Sequence, residues 1–123
     1  MKLLGSVINT SDPDALASFY AALLEWPRMM NEPNWVAIRH PEGGTAIAFQ
    51  RAPGAARPTL TPVPGEPHAL MHLDIGSDDL ERDVARAVSL GATEHSRSTD
   101  GRECVLVDPD GNPFCLIASR APD

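Results

Sequence analysis

One pattern occurs twice in the chain and restricts what it can fold into: a run of alternating polarity, an acidic turn and an amphipathic helix. The second copy covers residues 70–91. Its first part alternates apolar with mixed side chains, as a half-buried β-strand does. Ser77 or Asp78 can cap the helix that follows, Glu81 stands at capping-box distance from Asp78, and Gly91 suits the helix end.

The first copy lies near the N-terminus. Residues 4–10 read as a strand, Ser11 or Asp12 is the expected cap, and Pro13 suits the first helical turn, where its missing N–H costs nothing. The helix should end near residue 25, because a proline disfavours helix in the residue before it. Its apolar stripe consists of Leu16, Phe19, Tyr20 and Leu23.

Two or three β-prone runs follow each helix, so the repeating unit is βαβββ and the fold class is α+β. We expect a single domain over residues 1–123, with helices near 13–25 and 79–90. Module 1 should cover about 1–51 and module 2 about 68–119. Residues 52–67 between them hold five prolines, which is typical of a stiff connector. This connector is either a spacer, which we favour, or a flap over a cavity.

Composition excludes several classes of partner. The net charge is -7 and no basic cluster is present, which argues against nucleic acid and anionic membranes. No apolar run has the length of a membrane span, and residues 1–6 do not resemble a signal peptide. We therefore expect a cytoplasmic protein, with Cys104 and Cys115 as free thiols although they could lie near each other on paired strands. Two small sheets leave faces to cover, which favours a homodimer.

Three short stretches carry a resemblance to a known superfamily. They are the Asn-Thr-Ser-Asp run at 9–12, Leu-Leu-Glu-Trp at 23–26 and Asp-Pro-Asp-Gly-Asn-Pro-Phe at 108–114. With the repeated βαβββ order, they make the chain similar to the vicinal oxygen chelate superfamily of glyoxalases, bleomycin-resistance proteins and dioxygenases, and in particular to small actinobacterial glyoxalase-like domain proteins. The resemblance implies curved mixed sheets around a cavity. Glu25 departs from it, since the family often has glycine there.

The resemblance also implies four metal-ligand positions, one on the first and one on the last strand of each module. In this chain they fall on Gly5, Ala48, His72 and Cys115. Glycine and alanine carry no donor side chain, and a firm divalent site needs three or four ligands. We therefore expect no metal cofactor. A divalent metal bound with help from Gln50 or His68 is the alternative.

What remains is a pocket with few polar groups. By strand alternation Leu70, His72 and Asp74 share a face with His68, and Cys115 lies on the facing strand. His72 is either a catalytic base oriented by Asp74 or Glu103, or a polar residue without chemistry. Two further alternatives stay open. Trp35 is either a pocket wall or a core residue, and Met29 and Met30 either line a pocket or fill gaps, with core packing and gap filling favoured.

Three functions compete. The first is a metal-free binding protein of the bleomycin-resistance kind, which holds a small, partly apolar organic molecule. The second is an enzyme: a lyase or isomerase that uses His72 as base, or a metal enzyme or dioxygenase with an unusual ligand set. The third is a domain retained for dimerisation or regulation. The missing ligands favour the first.

Overall fold

A computed structural model of the chain describes residues 1–55, 58, 60, 64, 65 and 69–119. Their contacts divide into two compact units, Met1–Ala55 and Ala56–Asp123, called module 1 and module 2 from here on. Each holds one helix and one four-stranded mixed sheet, which confirms the α+β class and the duplicated βαβββ order. His68 and half of the 52–67 connector lie outside the described residues, so the spacer and flap interpretations stay predictions.

Module 1 runs in the order strand, helix and three strands. The elements are β1 (Gly5–Thr10), α1 (Pro13–Leu24), β2 (Arg28–Glu32), β3 (Trp35–Ile38) and β4 (Ala46–Arg51). Across the sheet the order is β1-β4-β3-β2. The β1–β4 pair is parallel and the other two pairs are antiparallel. A parallel pair needs a long crossover connection, which the segment from α1 to β3 supplies.

Helix α1 covers one face of this sheet. Leu16, Phe19 and Tyr20 are buried, as their helical spacing predicts. The Tyr20 ring stacks on Phe49 of β4 with 5.7 Å between ring centroids. Alternation along the strands buries Val36, Ile38, Ile47 and Phe49 in the core of this module.

Both ends of α1 follow from local chemistry. Asp12 is the N-cap, and its side chain accepts a hydrogen bond from the Ala15 N–H at 3.1 Å. Glu25 at the other end has φ 58°. It is the one non-glycine residue with positive φ in the described part of the chain.

Module 2 repeats the topology of module 1. Its elements are β5 (Leu73–Ser77), α2 (Leu80–Leu90), β6 (Thr93–Arg97), β7 (Glu103–Val107) and β8 (Pro113–Ala118). The sheet order is β5-β8-β7-β6, with β5 parallel to β8. Helix α2 buries Val84 and Ala87, whereas Val88, one helical turn after Val84, is 46% exposed.

The start of module 2 differs from the prediction in two details. Strand β5 begins at Leu73 rather than Leu70 and continues to Ser77. The prediction of Ser77 or Asp78 as cap is wrong, because the N-cap is Asp79, which accepts from the Arg82 N–H at 3.2 Å. The Ser77 hydroxyl instead accepts a hydrogen bond from the Asp79 N–H at 3.2 Å.

The same strand end occurs in module 1. Thr10 is fully buried at the end of β1, and its Oγ1 accepts from the Asp12 N–H at 3.1 Å. Thr10 and Ser77 therefore occupy equivalent positions, each two residues before an aspartate cap. In both modules the hydroxyl satisfies an N–H that the strand ladder leaves unpaired.

Neither α1 nor α2, the helices of the described ranges, combines the length and hydropathy needed to cross a bilayer.

Candidate functional site

Module 1 has a cavity of about 390 Å³ on the sheet face opposite α1. Strand alternation determines which residues line this cavity. Val36 and Ile38 point toward the helix, whereas Trp35 and Ala37 point to the opposite face. The lining residues come from the four strands and their flanks. They are Leu4, Gly5, Ser6, Val7, Met29, Met30, Trp35, Ala37, Arg39, Ala46 and Ala48.

The cavity exists because small residues are grouped on three neighbouring strands. Gly5 lies on β1, Ala46 and Ala48 lie on β4, and Ala37 lies on β3, so little side-chain volume rises from this part of the sheet. Larger residues surround this floor. Trp35 is half-buried, and the structure thus favours the pocket-wall interpretation over core packing.

The two methionines of β2 also line the cavity rather than fill gaps. Met29 is 46% exposed and Met30 is 45% exposed. The favoured gap-filling interpretation is wrong, because the strand places both side chains beside open space. Flexible thioether side chains suit a wall that adapts to its ligand.

Gly5 has no room for a side chain. A Cβ atom at this position would lie 2.1 Å from the carbonyl oxygen of Ala46, its partner in the parallel β1–β4 ladder. A backbone oxygen cannot move aside by a change of rotamer, as the end of a flexible side chain can. The first ligand position implied by the resemblance is therefore closed to any larger residue unless the main chain moves.

Arg39 is the one charged residue in the lining of this cavity, and the sequence reasoning missed it. Its backbone N–H donates to the Pro27 carbonyl at 3.3 Å, which holds the chain just past β3. Alternation from Trp35 through Ala37 to Arg39 was the signal that could have identified it.

Trp35 also borders a second concavity, which Asn34, Gln50, Arg51 and Pro53 complete. Gln50, considered as a replacement metal ligand, pairs with Trp35 in the β3–β4 register. It lies on β4 two residues beyond Ala48 and is exposed. Its role as a ligand stays a prediction.

The equivalent sheet face of module 2 is polar. Gly5 precedes Thr10 in the chain by as many residues as His72 precedes Ser77. Because Thr10 and Ser77 are equivalent, His72 occupies the position in module 2 that Gly5 occupies in module 1. In the same way the ladder pair Asp74–Cys115 takes the place of the pair Val7–Ala48. The two modules thus share a topology, but module 2 carries polar side chains at these positions, where module 1 carries small or apolar ones.

Three residues predicted from the sequence come together on this face. The Nε2 atom of His72 lies 3.1 Å from Oδ1 of Asp74, with the two side chains 51% and 57% exposed. One potential ligand atom from each of His72, Asp74 and Cys115 lies within 4.8 Å of the other two. Leu70 precedes β5 and is 87% exposed, and its place in a pocket stays a prediction.

Cys115 is held in its thiol form. Burial raises its pKa from 9.0 to about 12, and the neighbouring carboxylates of Glu103 and Asp74 add to the effect. The residue is 5% exposed. A thiol of this kind is a poor nucleophile at neutral pH, because the thiolate is the reactive form.

The two cysteines are free thiols, as predicted. In the β7–β8 ladder Cys115 pairs with Val105 and Cys104 pairs with Leu116. Alternation therefore sends the two sulfur atoms to opposite faces of the sheet, a geometry that no disulfide spans. Burial also raises the pKa of Cys104.

The metal set implied by the resemblance does not fit this chain. Gly5 and Ala48 lack donor atoms, and Gly5 cannot be enlarged. Among the described residues, His72, Cys115 and the non-inherited Asp74 form a group that could hold a metal ion. A metal would have to displace the proton of a thiol whose pKa is about 12.

Comparison with known proteins identifies the family. The sequence profile described as glyoxalase-like domain matches residues 5–117. No curated protein matches the chain. Many solved structures resemble it, and at identities under 25% their likeness concerns the fold alone.

The chain is similar to a glyoxalase/bleomycin resistance protein/dioxygenase family enzyme from Burkholderia phytofirmans PsJN, at 17% identity and TM-score 0.75, covering 98% of this chain and 100% of that one. It is similar to an antibiotic binding protein from Streptomyces sp. CB03234, at 19% identity and TM-score 0.64, covering 96% and 95%. It is also similar to a bleomycin resistance determinant encoded on the transposon Tn5, at 21% identity and TM-score 0.61, covering 96% and 98%.

The profile match spans nearly the whole chain, and the duplicated βαβββ order agrees with it. The chain belongs to the glyoxalase-like domain family, and its fold resembles that of a glyoxalase/bleomycin resistance protein/dioxygenase family enzyme.

Proposed function

We propose that the protein binds a small, partly apolar organic molecule in the module 1 cavity, without a metal ion. The observation that carries the proposal is the floor of small residues, Gly5, Ala37, Ala46 and Ala48, beneath about 390 Å³ of space. This volume is within the range of small-molecule sites. Trp35 supplies an aromatic wall against which a flat ligand can stack.

We assign the polar face of module 2 to ligand binding as well. His72, Asp74 and Cys115 offer a hydrogen-bonding imidazole, a carboxylate and a thiol within a few ångströms, and Leu70 lies just before them in the chain. Such groups orient a bound molecule rather than drive its binding. Two structural neighbours are an antibiotic binding protein and a bleomycin resistance determinant, which supports binding as the kind of function.

The neutral dye prodan tests the module 1 cavity. We expect saturable binding with a blue shift of dye emission, because the dye moves from water to an apolar wall. Ala48→Leu fills the floor and should weaken binding by about tenfold or more. Ala85→Leu adds the same volume at an exposed position of α2 and should leave binding unchanged. Equal binding by both variants and the wild type would refute the cavity as the site.

Metal content is a separate prediction. We expect purified, untagged protein to contain no stoichiometric divalent ion, and added zinc or manganese to raise the melting temperature little. The reason is that, in the His72–Asp74–Cys115 group of the described residues, only His72 and Asp74 offer donors that need not first lose a strongly held proton. Elemental analysis and a thermal shift series on wild type and His72→Ala decide the matter. One ion per chain, or a shift of several degrees that the variant loses, contradicts the prediction.

A lyase or isomerase is the second candidate, and the His72–Asp74 contact favours it. A carboxylate beside an imidazole orients it as a general base, which could remove a proton next to a substrate carbonyl. Dihydroxyacetone in heavy water is a suitable probe, with deuterium uptake followed by NMR. The enzyme hypothesis expects uptake above the buffer rate that His72→Gln abolishes and Asp74→Asn reduces. Uptake at the buffer rate with wild type argues for a binding protein.

A further inference from the structure

We infer that the module 1 cavity selects an anionic aromatic molecule, whose carboxylate or similar group pairs with Arg39 while its ring lies over the alanine floor beside Trp35. The inference rests on the proposed function and specifies the ligand class of the same cavity. It follows from the one cationic side chain in an otherwise nearly apolar lining.

The charges around Arg39 make it available to a ligand. Among the described residues, the ion pairs leave Arg39 without a carboxylate partner. Three other arginines each contact at least one carboxylate: Arg28 contacts Asp14, Arg82 contacts Asp83, and Arg97 contacts Glu81. In a chain of net charge -7, acidic partners are abundant, so a guanidinium without one at a cavity edge can receive an anionic ligand.

The positions of the ring and the cation set the shape of the ligand. Trp35, Ala37 and Arg39 follow one another on the same face by strand alternation. At the rise of an extended chain, Trp35 and Arg39 are separated by roughly 13 Å. A molecule with an aromatic ring at one end and an anionic group at the other matches this arrangement. Guanidinium binds carboxylates through two parallel N–H donors, which also sets the ligand's direction.

The corresponding face of module 2 lacks both features. The β7–β8 pair Glu103–Ile117 corresponds to the β3–β4 pair Trp35–Gln50. By the same register Val107 takes the place of Arg39. Module 2 therefore has neither the aromatic wall nor the cation at these positions, and the anion site is specific to module 1.

Paired probes of one shape separate charge from size. Naphthoate carries a carboxylate, naphthamide is its neutral counterpart, and naphthylmethylamine is its cationic counterpart. We expect wild-type protein to bind naphthoate about tenfold more tightly than naphthamide and to bind the amine most weakly. The preference should shrink as salt is raised, because Arg39 is exposed and its field is screened.

Substitutions test whether Arg39 causes the preference for naphthoate over naphthamide. Arg39→Gln should bind naphthoate and naphthamide equally, whereas Arg39→Lys should retain part of the difference. Arg51→Gln removes a charge from the second concavity, outside the lining of the module 1 cavity, and should keep the full preference. Methyl resonances of Ala37 and Ala48 should shift on titration, which places the probe over the floor.

The outcomes separate the two proposals. If both neutral and anionic probes bind equally and Arg39→Gln changes nothing, the anion preference is wrong and the cavity remains a binding site. If naphthylmethylamine binds best, the ligand class is reversed and this inference is overturned. If no probe shifts the Ala37 and Ala48 methyls at millimolar concentration, the proposed function fails and this inference fails with it.

Discussion

Cys115 is a group of the candidate site whose environment strongly opposes its ionisation. It lies on β8 near the carboxylates of Asp74 and Glu103, and both its burial and these neighbours oppose ionisation. The sulfur is thereby a compact, neutral hydrogen-bonding group at ordinary pH. The neighbouring His72–Asp74 pair carries the polarity of this face.

The first prediction follows from the direction of this pKa change. Iodoacetamide should alkylate native Cys115 more than about tenfold slower at about pH 8 than after unfolding in urea, because the unfolded thiol ionises near its ordinary pKa. The native rate should rise with pH until about 12. A Cys104→Ala background leaves one thiol to count by mass spectrometry. Equal native and unfolded rates would contradict the raised pKa.

At the residue scale, strand alternation was enough to group His72, Asp74 and Cys115 from the sequence, since a period of two decides which side chains share a face. It did not reveal the cavity of module 1. The cavity depends on which small residues come together on adjacent strands, and that requires the register. The contact of Gly5 with the Ala46 carbonyl depends on the distance between two main chains, which no residue pattern encodes.

At the scale of elements, the end of α1 is a point of strain. Glu25 adopts a left-handed conformation with φ 58°, which costs a residue with a Cβ about 1 kcal/mol or more relative to glycine. Its carboxylate also lies at the negative end of the helix dipole. The helix nevertheless ends here because Pro27 follows closely.

We therefore expect Glu25→Gly to stabilise the protein by about 1 kcal/mol, with part of the gain offset by the greater freedom of glycine in the unfolded chain. Glu25→Gln is the matched control, since it removes the charge and keeps the strained conformation. Urea unfolding of the two variants gives the difference. If Glu25→Gln gains as much as Glu25→Gly, the dipole rather than the backbone sets the cost.

A second element-scale feature joins α2 to β6. Arg97 on β6 contacts Glu81 of α2 and also Glu94, whose Oε1 accepts from the Arg97 Nε at 2.6 Å. This hydrogen bond lowers the pKa of Glu94 from its ordinary value of 4.5. A lowered carboxyl pKa stabilises the folded state above the unfolded value, and the contribution is lost as the pH falls through the folded value.

The expected result is that Arg97→Met lowers the melting temperature at about pH 7, and that the difference from wild type shrinks below about pH 4.5. Glu94→Gln should lower it in the same pH range. The melting temperature of the double variant should fall by less than the sum of the decreases in the two single variants, because both substitutions remove the same interaction. A difference that persists unchanged at low pH would show that Arg97 acts through packing instead.

The elements themselves were predictable because several local signals agree: periodic apolar positions, aspartate caps and prolines at helix boundaries. The predictions that failed concern single residues whose pattern fits one local role while the structure gives them another. Ser77 has the chemistry of a helix cap, yet its hydroxyl serves the strand end and leaves the cap to Asp79. Val88 has helical spacing from Val84 of α2 but is 46% exposed, whereas Val84 and Ala87 are buried.

At the scale of the whole molecule, exposed apolar residues predict association. Among the described residues, several large apolar side chains are about half or more exposed, including Leu3, Leu4, Val7 and Met71. Large apolar side chains that remain exposed in one chain are often covered by a partner chain. We expect a homodimer.

Light scattering at micromolar concentration tests this prediction. We expect twice the chain mass of 13.2 kDa. Leu3→Glu should shift the protein toward the monomer, since it places a charge at an exposed apolar position outside the lining of the module 1 cavity. Glu32→Lys, a charge change at the exposed end of β2, serves as the control. A wild-type monomer mass would show that the apolar surface has another purpose.

The closeness of β1 and β4 at Gly5 limits what can be introduced at this edge of the sheet. The Cβ of a histidine or glutamate substituted at position 5 would lie 2.1 Å from the Ala46 oxygen. The strands would have to separate first, and that step by itself brings no metal. Substitutions can therefore refine the floor of the cavity more easily than they can introduce a metal ligand at position 5.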